Sequence, residues 1–441
     1  MSRTTTEAAS LASSEWHGTA SSTLPSTDWV SDFNSEQLNS IVATALSENT
    51  DIRIAQARWQ AATASAVSSS AGLLPDISAT ARASRTEFEN NALQDSNSYT
   101  LEPAISWEAD VWGRVRNIAA ASKHDRDASR ADYAGVRLSI AATVAQSWFD
   151  LIETHLQLEL SKKEVRTQSR ALALTQRRFY GGVSGSSDVR LAKSSLANAE
   201  ATLASREQAK AAAARRLEIL LRKYPANGLT IPTDLPELPA LKAAGQPIDI
   251  FSKRPDMLAA EQRMLAAGIR VNVARKNLLP RLTLSASGNL GGDNSDNLFD
   301  TDSLFTNIAA GLAAPIFNAG SLRAEVRRNE AVLQQQLEAY IGDALSAYLE
   351  VENALDAEQR LHQREQALRT SLTEAELAEE RLETRYSEGL ASILQLLDAQ
   401  SRAIAAEAQL IDARKERLNN RVRLHLALGG GDLGQLPEQE E

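Results

Sequence analysis

The residue types that most often carry chemistry are sparse in this chain. The five histidines stand at positions 17, 124, 155, 362 and 425, and no two have the spacing of a metal-binding pair. The absence of cysteine excludes disulfides, thiolate metal sites and thiol nucleophiles. Three glycines at 429–431 follow a helical pattern, where glycine is an ordinary terminator and not a phosphate-binding loop. The sequence therefore predicts no catalytic residue, no metal site and no cofactor.

Composition narrows the remaining functions. The formal net charge is −10, from 57 acidic and 47 basic residues, so no nucleic-acid partner is expected, because phosphate contacts need a basic surface. Apolar residues make up 43% of the chain but aromatic residues only 5%. Alanine supplies much of this apolar share, and alanine is the best helix former. We therefore expect long, closely packed helices instead of an aromatic-filled core.

Residues 1–30 are rich in Ser, Thr and Ala and contain no apolar stretch of signal-peptide length. No run in the chain approaches the roughly 20 apolar residues of a membrane-spanning helix. A membrane role would therefore have to come from β-strands. We interpret residues 1–30 as an N-terminal extended segment of a truncated start, from which the export signal is missing.

An internal duplication is the most informative feature of the sequence. Residues 46–75 align without gaps on residues 251–280, and both copies end in Leu-Leu-Pro. Residues 178–221 align in the same way on residues 385–428. Shared Pro, Gly, Arg and Asp positions argue against a chance likeness between alanine-rich helices. The prediction is a first repeat, a connector, a second repeat and an acidic tail, over residues 31–222, 223–248, 249–430 and 431–441.

Each repeat has the same predicted order of elements. A helix, near 35–72 or 248–278, ends at Leu-Leu-Pro, because the residue before proline avoids helical geometry. A β-hairpin with alternating apolar and polar residues follows, and then two long helices joined by a turn. The β-hairpins and helical pairs are predicted at 76–108 and 113–222 in the first repeat, and at 281–314 and 320–428 in the second. Prolines make the connector extended.

The long helical stretches exceed those of an ordinary globular domain. A helix of roughly 66 residues reaches about 100 Å at 1.5 Å per residue. Such a length indicates coiled-coil packing. On the last helix, apolar residues recur every seven positions and predict the packing seam: Leu397, Ile404, Ile411 and Leu418.

The four predicted strands, of about ten residues each, have the length of membrane-spanning β-strands. They cannot close a barrel alone, and an open edge in lipid would leave backbone groups unpaired. The chain is therefore expected to pool its strands with copies of itself. Aromatic residues lie towards the strand ends, where interfacial girdles occur, although ordinary surface aromatics fit equally well: Tyr99, Trp107, Trp112, Phe299, Phe305 and Phe317.

Several short motifs in a fixed order make a resemblance specific. They are the duplicated Leu-Leu-Pro unit, Asp-Val-Trp-Gly-Arg-Val-Arg at 110–116, Arg-Pro-Asp at 254–256, Ala-Pro-Ile-Phe at 314–317, and two Arg-aromatic-x-x-Gly turns at 178–182 and 385–389. With these motifs, over about residues 28–430, the sequence resembles the outer-membrane efflux protein family of the TolC type. It is most similar to the branch that serves multidrug pumps.

This resemblance implies a fold and a function. The implied fold is mainly α with a transmembrane β-barrel part: three chains supply a twelve-stranded β-barrel continuous with a twelve-helix α-barrel. The implied function is a passive outer-membrane channel, not an enzyme. Its helical part crosses the periplasm and takes substrate from an inner-membrane transporter through a periplasmic adaptor. Relatives often carry an acylated N-terminal cysteine, which this sequence lacks. The alternative is a soluble coiled-coil scaffold or adaptor, which has no use for two bilayer-length hairpins.

The resemblance also implies site residues. The helical turns would form periplasmic tips that contact the adaptor, through Arg178, Phe179 and Gly182 in one repeat and Arg385, Tyr386 and Gly389 in the other. For the two glycines alone, it is a sufficient explanation that any tight turn between helices favours glycine. In the family, acidic residues past the second tip ring the closed aperture and would attract cations. The matching residues in this sequence are Asp398 and Gln395, and Gln395 departs from the acidic pattern. Asp188 is the residue of the first repeat that is equivalent to Gln395. A solvated carboxylate is the alternative for both acids.

Overall fold

The computed structural model describes residue 16 and residues 28–87, 96–240, 244, 246–293 and 305–431. The first repeat contains Glu36–Glu48 (α1), Thr50–Ala71 (α2), Asp76–Thr86 (β1), Ser96–Ala109 (β2), Arg114–Tyr180 (α3) and Ser186–Leu220 (α4). The second contains Pro255–Lys276 (α5), Arg281–Gly292 (β3), Phe305–Ala313 (β4), Ser321–Ser387 (α6) and Ile393–Ala427 (α7). Equivalent helices have equal lengths: 22 residues for α2 and α5, 67 for α3 and α6, and 35 for α4 and α7. Within the described ranges, no helix combines the length and the apolar character needed to cross a membrane.

The helix that opens each repeat is interrupted, so the prediction of one continuous helix was wrong in both. After α1, the Asn49 side chain accepts hydrogen bonds from the backbone N–H groups of Asp51 (2.8 Å) and Ile52 (3.3 Å) and caps α2 as a new helix. In the second repeat a single helical turn ends at Arg254, whose backbone is extended before Pro255. A capping side chain and a proline are therefore the two physical causes.

The four strands form one antiparallel sheet in the order β1-β2-β3-β4. β2 and β3 come from different repeats, and they pair from Tyr99 opposite Gly292 to Ala109 opposite Leu282. The side chains of β1 are exposed along the whole strand. The two repeats thus share one sheet, and β1 and β4 are its edges.

Two compact units can be distinguished, and each draws on both repeats. One consists of Met1–Gln56, Asp132–Met257 and Asp343–Glu441, and the other of Ala57–Ala131 and Leu258–Gly342. The second unit contains the sheet and the helix ends next to it. The first unit has a large apolar core with aromatic side chains that are at most 1% exposed: Trp29, Phe33, Trp148 and Phe149. Equivalent segments of the two repeats therefore belong to the same unit.

Burial on α7 differs from the predicted seam. Leu418 is buried, but Leu397, Ile404 and Ile411 are only half-buried. The stripe that is buried instead consists mainly of small side chains: Leu396, Ala399, Ala403, Ala406 and Ala413. Within one chain the alanine stripe is thus buried more deeply than the predicted leucine and isoleucine seam, which stays a prediction for packing between chains. Alanine has no side chain beyond Cβ, so helices that meet through alanines can pack closely.

Candidate functional site

The first helical tip joins α3 to α4 through a glycine turn. Gly182 has a φ of +71°, and the backbone N–H of Val183 donates to the carbonyl of Arg178 (2.9 Å) at the end of α3. The apolar side chains beside the turn are exposed: Phe179 by 40%, Tyr180 by 85% and Val183 by 67%. This tip therefore presents two aromatic rings and an aliphatic group, a surface typical of an interaction site.

The second tip joins α6 to α7 with the same backbone geometry but a different surface. Gly389 has a φ of +85°, and the backbone N–H of Leu390 donates to the carbonyl of Arg385 (2.8 Å). Leu390 is 66% exposed, whereas Tyr386, the equivalent of Phe179, is only 2% exposed. The second tip thus buries its aromatic ring and exposes an aliphatic side chain.

Tyr386 is buried because side chains of α3 cover it. The guanidinium of Arg178 lies over the Tyr386 ring, 4.6 Å from its centroid, and Nη1 of Arg178 donates to the Tyr386 carbonyl. The hydroxyl groups of Thr175 and Tyr386 form a hydrogen bond of 2.9 Å. We call Thr175, Arg178 and Tyr386 the tip clasp. It joins the two helical hairpins beside their turns.

The six predicted tip residues therefore divide into two groups. Arg178 and Tyr386 contact each other, and the guanidinium of Arg178 lies within 4 Å of where a side chain on Gly389 would begin. Phe179, Gly182 and Arg385 are exposed. The first group holds the hairpins together, and the second is available to a partner.

Two of the predicted aperture residues, Asp188 and Gln395, act as helix caps. The Asp188 carboxylate accepts a hydrogen bond from the backbone N–H of Gly185 (3.3 Å) before α4. Oε1 of Gln395 accepts one from the backbone N–H of Ser392 (2.9 Å) before α7, and Oγ of Ser392 accepts one from the backbone N–H of Gln395 (3.3 Å). An acid and an amide can both fill this equivalent position, since each offers a side-chain oxygen.

Asp398 lies on an exposed face of α7. Its side chain is 63% exposed and accepts a hydrogen bond from Nε of Arg402 (2.8 Å). Leu394, one turn earlier, is 62% exposed. Because Leu394, Asp398 and Arg402 are spaced four residues apart, they share one helix face. Leu394 and Arg402 were not predicted as site residues, although their spacing around Asp398 was visible in the sequence.

Trp107 and Trp112 bind the two Leu-Leu-Pro junctions. Nε1 of Trp107 donates to the carbonyl of Leu73 (3.0 Å), and Nε1 of Trp112 donates to the carbonyl of Pro280 (2.7 Å). Each indole therefore fixes a place where a helix passes into a strand. A membrane-interface role for these two residues would be additional to this contact.

The other predicted interface aromatics differ in their surroundings. Tyr99 lies half-buried on β2, opposite Gly292 of β3. Phe317 follows β4 and is 89% exposed. Phe305 begins β4, but its side chain, like all of Phe299, lies outside the described part of the chain. Phe317 thus offers a nearly complete aromatic ring to its surroundings.

The Asp-Val-Trp-Gly-Arg-Val-Arg motif caps α3. The carboxylate of Asp110 accepts hydrogen bonds from the backbone N–H groups of Val115 (2.8 Å) and Arg116 (2.9 Å). Partial burial acts to raise the pKa of Asp110, but these two donors and the Arg116 guanidinium outweigh burial and lower the pKa below its ordinary value. Arg114 donates to both carboxylate oxygens of Glu108 (2.9 and 2.6 Å). Helix capping therefore explains Asp110 and Arg116 of this motif, and an ion pair with Glu108 of β2 explains Arg114.

The Arg-Pro-Asp motif forms a buried ion-pair site. Arg254 is 8% exposed, and its guanidinium contacts the carboxylates of Asp256 (2.7 Å) and Glu350 (2.7 Å) and donates to the carbonyl of Ala427 (2.9 Å). Burial acts to lower the pKa of Arg254, but the two carboxylates outweigh it and raise the pKa. Arg254 thus ties the start of α5 to α6 and to the end of α7.

The described residues contain no group of three or more His, Cys, Asp or Glu side chains that could hold a metal ion. The candidate functional features of the chain are two helical tips, one exposed face of α7 with a carboxylate, and capped transitions between helices and strands. Such features suit contact with partners and the lining of a passage.

Known proteins share this architecture over nearly their whole length. Residues 41–221 and 249–430 match the family described as outer membrane efflux protein. The chain is 31% identical to the pyoverdine export outer membrane protein OpmQ of Pseudomonas putida, over 92% of this chain and 89% of that protein. It is 28% identical to the solvent efflux pump outer membrane protein SrpC of Pseudomonas putida, over 90% and 86% of the two chains.

Solved structures give the same result. The outer-membrane channel OprN has a TM-score of 0.87 at 26% identity, over 96% of this chain and 97% of that one. The open state of the Neisseria gonorrhoeae MtrE outer membrane channel has a TM-score of 0.81 at 26% identity, over 96% and 97%. These likenesses confirm the predicted fold class, a mainly α-helical channel protomer with a β-barrel part and a helical barrel. They also confirm the predicted function and location, an outer-membrane channel for efflux with its helical part in the periplasm, over the soluble scaffold. The chain belongs to the outer membrane efflux protein family.

Proposed function

We propose that three copies of this chain form one channel, which passes substrate passively from an inner-membrane transporter and a periplasmic adaptor to the cell exterior. The observation that carries the proposal is the sheet of four strands with two edges, β1 and β4. In lipid, unpaired backbone groups at such edges are costly. Pairing β1 of one copy with β4 of the next removes both edges, and the family resemblance favours three copies.

Fractionation of cells that export the protein tests the assembly. We expect the protein in the outer membrane and, after extraction in mild detergent, a native mass of three chains. A monomer in the soluble periplasmic fraction would contradict both the trimer and the channel.

The tips are proposed as the adaptor contact, with the first tip as the larger apolar surface. Phe179, Tyr180 and Val183 support this assignment through their exposure, and Leu390 supports it at the second tip. The clasp residues Arg178 and Tyr386 are assigned to holding the two hairpins together. Of the predicted tip residues, Phe179, Gly182 and Arg385 remain candidates for direct contact.

A tyrosine pair on the chain gives a matched test of the adaptor contact. Tyr180 at the first tip is 85% exposed, and Tyr224, just after α4, is 86% exposed. Tyr180→Ala should weaken binding of the adaptor that co-purifies with the wild-type channel by about tenfold or more, as expected for an exposed aromatic anchor. Tyr224→Ala should leave binding unchanged. Equal binding by both variants would remove the first tip from the interface.

The α7 face with Leu394, Asp398 and Arg402 is proposed to line the aperture. Three copies would place three leucines and three carboxylates around one axis, where a carboxylate ring attracts cations. The exposure of Leu394 and Asp398 supports this position. Asp188 and Gln395 contribute through the helix ends that they cap.

Conductance in planar bilayers tests the aperture. Asp398→Ala should raise the conductance of the closed channel, because the charged narrowing is lost. The matched control is Asp356→Ala on α6, since Asp356 is also an exposed acid (66%) with an arginine four residues later. Unchanged conductance in Asp398→Ala, or an equal rise in Asp356→Ala, would remove Asp398 from the aperture.

Phe317 is proposed to lie at the lipid interface on the side of the sheet where Trp107 and Trp112 hold the junctions. Tyr99 is proposed to lie at the interface on the opposite side, because it pairs with Gly292 at the other end of β3. Phe305 at the start of β4 pairs with Asn289 near that same end, which supports the same role. No catalytic role is proposed for any residue. The named relatives export or pump pyoverdine and solvents on the same architecture, so we assign the choice of cargo to the transporter and not to this chain.

A further inference from the structure

The two β-hairpins of the chain have the same pairing register. In the first hairpin Asp76 of β1 lies opposite Ser106 of β2, and in the second Arg281 of β3 lies opposite Ala313 of β4. Position 281 follows position 76 by 205 residues, and position 313 follows position 106 by 207 residues. The aligned blocks of the duplication are separated by these same two intervals. The sheet therefore carries the duplication strand by strand, with β3 equivalent to β1 and β4 equivalent to β2.

The starts of the long helices extend this equivalence beyond the strands. Gly113 and Gly320 both have a positive φ, of +71° and +85°. One residue later α3 begins at Arg114 and α6 begins at Ser321. Each of these pairs is again 207 residues apart. The equivalence of β2 and β4 is therefore fixed to the residue.

Inside the chain the two repeats meet where β2 pairs with β3. This pairing runs from Tyr99 opposite Gly292 to Ala109 opposite Leu282, and we call it the repeat interface. A closed ring of copies contains one further kind of pairing, between β4 of one copy and β1 of the next, which we call the copy interface. Because β4 is equivalent to β2 and β1 is equivalent to β3, both interfaces join the same two kinds of strand.

We propose that the copy interface repeats the register of the repeat interface. This inference rests on the proposed ring of copies and adds the register of the strands that close it. Moving each pair of the repeat interface by the two intervals gives the expected partners on the next copy. By this rule Ile105–Ala286 becomes Leu312–Ala81, Ser106–Ser285 becomes Ala313–Thr80, and Ala109–Leu282 becomes Ile316–Ile77.

The side chains that this register brings together match in polarity. Leu312 and Ala81 both lie on the apolar faces of their strands, on which side chains alternate between the two faces of the sheet. On the polar face Gly311 lies opposite Arg82 of the next copy, and the missing side chain of glycine leaves room for the guanidinium group. A shift by one residue would set the apolar face of one strand against the polar face of the other. The alternation therefore excludes odd shifts.

The copy interface also accounts for the shortness of β4. β2 continues to Ala109, three residues beyond Ser106, its last partner on β1, because β3 pairs with it on the other side. β4 is an edge of the described sheet and ends at Ala313. Three residues later Ile316 is 97% exposed, and Ile77, its expected partner on the next copy, is 75% exposed. Pairing between copies extends β4 to Ile316 and brings these two apolar side chains together.

Paired cysteines test this register, because the chain has no cysteine of its own. Leu312→Cys combined with Ala81→Cys places two thiols opposite each other at the copy interface, with Cα atoms about 5 Å apart, within the reach of a disulfide. Within one chain these positions lie on opposite edges of the sheet, about 14 Å apart across three strand spacings, so a disulfide forms only between copies. Oxidation of the assembled protein should therefore give linked dimers and trimers on a denaturing gel.

Two further alanines of β1 provide the matched controls. Ala79 and Ala83 are exposed and lie on the same face as Ala81, but each is two residues from the expected partner of Leu312. Their Cα atoms lie about 7–8 Å from the expected position of residue 312, at or beyond the limit for a disulfide, so either variant with Leu312→Cys should give at least about fivefold less linked product. More linked product with Ala79→Cys or Ala83→Cys than with Ala81→Cys would overturn the register.

A second pair, on the polar face, keeps the register testable if the first pair assembles poorly. Ala313→Cys should link to Thr80→Cys of the next copy and at least about fivefold less to Ser78→Cys, two residues away. The native mass of the wild-type protein separates this inference from the proposed function. A wild-type monomer would contradict the ring of copies itself, whereas a trimer whose variants link at neither expected pair would overturn the register alone.

Discussion

The two helical hairpins have helices of the same lengths, 67 and 35 residues, yet they differ at both ends. At the tip, the first hairpin exposes Phe179, whereas the second buries the equivalent Tyr386 under Arg178. Farther from the tip, α3 of the first hairpin has Leu158 where α6 of the second has Glu365. The duplication thus preserves the backbone while the contacts of matched positions have diverged.

This difference indicates a division of work between the hairpins. The first hairpin exposes its aromatic ring at the tip, where a partner can reach it, and has buried leucines at positions 151 and 158. The second hairpin holds its aromatic ring in the tip clasp and buries Glu365 at the position that matches Leu158.

The largest effect is expected from the ring at position 386. Tyr386→Ala should reduce the free energy of unfolding by about 3–5 kcal/mol, because a buried ring leaves a cavity and the Thr175 hydroxyl loses one of its two hydrogen bonds. Phe179→Ala, at the equivalent and partly exposed position, should cost about 1 kcal/mol or less. Thermal unfolding of the two trimers measures both. Equal losses of unfolding free energy in the two variants would show that the rings at positions 179 and 386 are buried to the same extent.

The next effect concerns the pH dependence of two acids on α6. Burial acts to raise the pKa of Glu365, but Arg417 and Arg369 outweigh it and lower the pKa. For Glu379, closer to the tip, burial raises the pKa despite the nearby Lys163. The charged form is therefore favoured by folding at Glu365 and disfavoured at Glu379.

Two glutamine variants measure this contrast. Glu365→Gln should cost about 2 kcal/mol at pH 7, because charge-assisted hydrogen bonds are lost. The cost should vanish as the pH falls through the lowered pKa, since the wild-type carboxylate is then protonated too. Glu379→Gln should be neutral or stabilising at pH 7, and its effect should disappear as the pH falls through the raised pKa. Melting curves of both variants between pH 7 and pH 3 measure the two effects. If both variants lowered the stability at pH 7, the predicted difference between Glu365 and Glu379 would be refuted.

A smaller effect is expected at the paired arginines of the tips. Arg178→Met should cost about 1–2 kcal/mol, because a cation–π contact with the Tyr386 ring and a hydrogen bond to the Tyr386 carbonyl are lost. Arg385→Met should stay within about 0.5 kcal/mol, because Arg385 is exposed. Unfolding by denaturant compares them. A larger loss at Arg385 would mean that the clasp does not hold the second tip.

The smallest effect should be equal in the two hairpins. Asp188→Ala and Gln395→Ala each remove a side-chain oxygen that caps a backbone N–H, and each should cost about 0.5–1 kcal/mol. Thermal unfolding of the two single variants should give matching shifts. A marked rise in conductance for Gln395→Ala alone would instead give that residue a direct place in the aperture.

The sequence by itself determined the family, the fold class and the channel function. Leu-Leu-Pro, the repeated Arg-aromatic-x-x-Gly turns and the alternating residues after each proline are local signals. Glycine and proline act on the backbone of their own segment, so such signals can be recognised without knowing what packs against them. Matching the two copies also identified pairs of equivalent positions, such as Arg178 with Arg385.

The surroundings of those equivalent positions were decided only by the tertiary structure. Arg178 and Arg385 begin the same Arg-aromatic-x-x-Gly pattern, but of the two only Arg178 reaches an aromatic ring, and that ring belongs to the other repeat more than 200 residues away. The heptad of leucine and isoleucine on α7 predicted a seam, yet the alanines beside it are buried, because burial depends on which neighbour faces the helix. Local patterns specify the backbone, whereas the role of a side chain depends on contacts between segments that are distant along the chain.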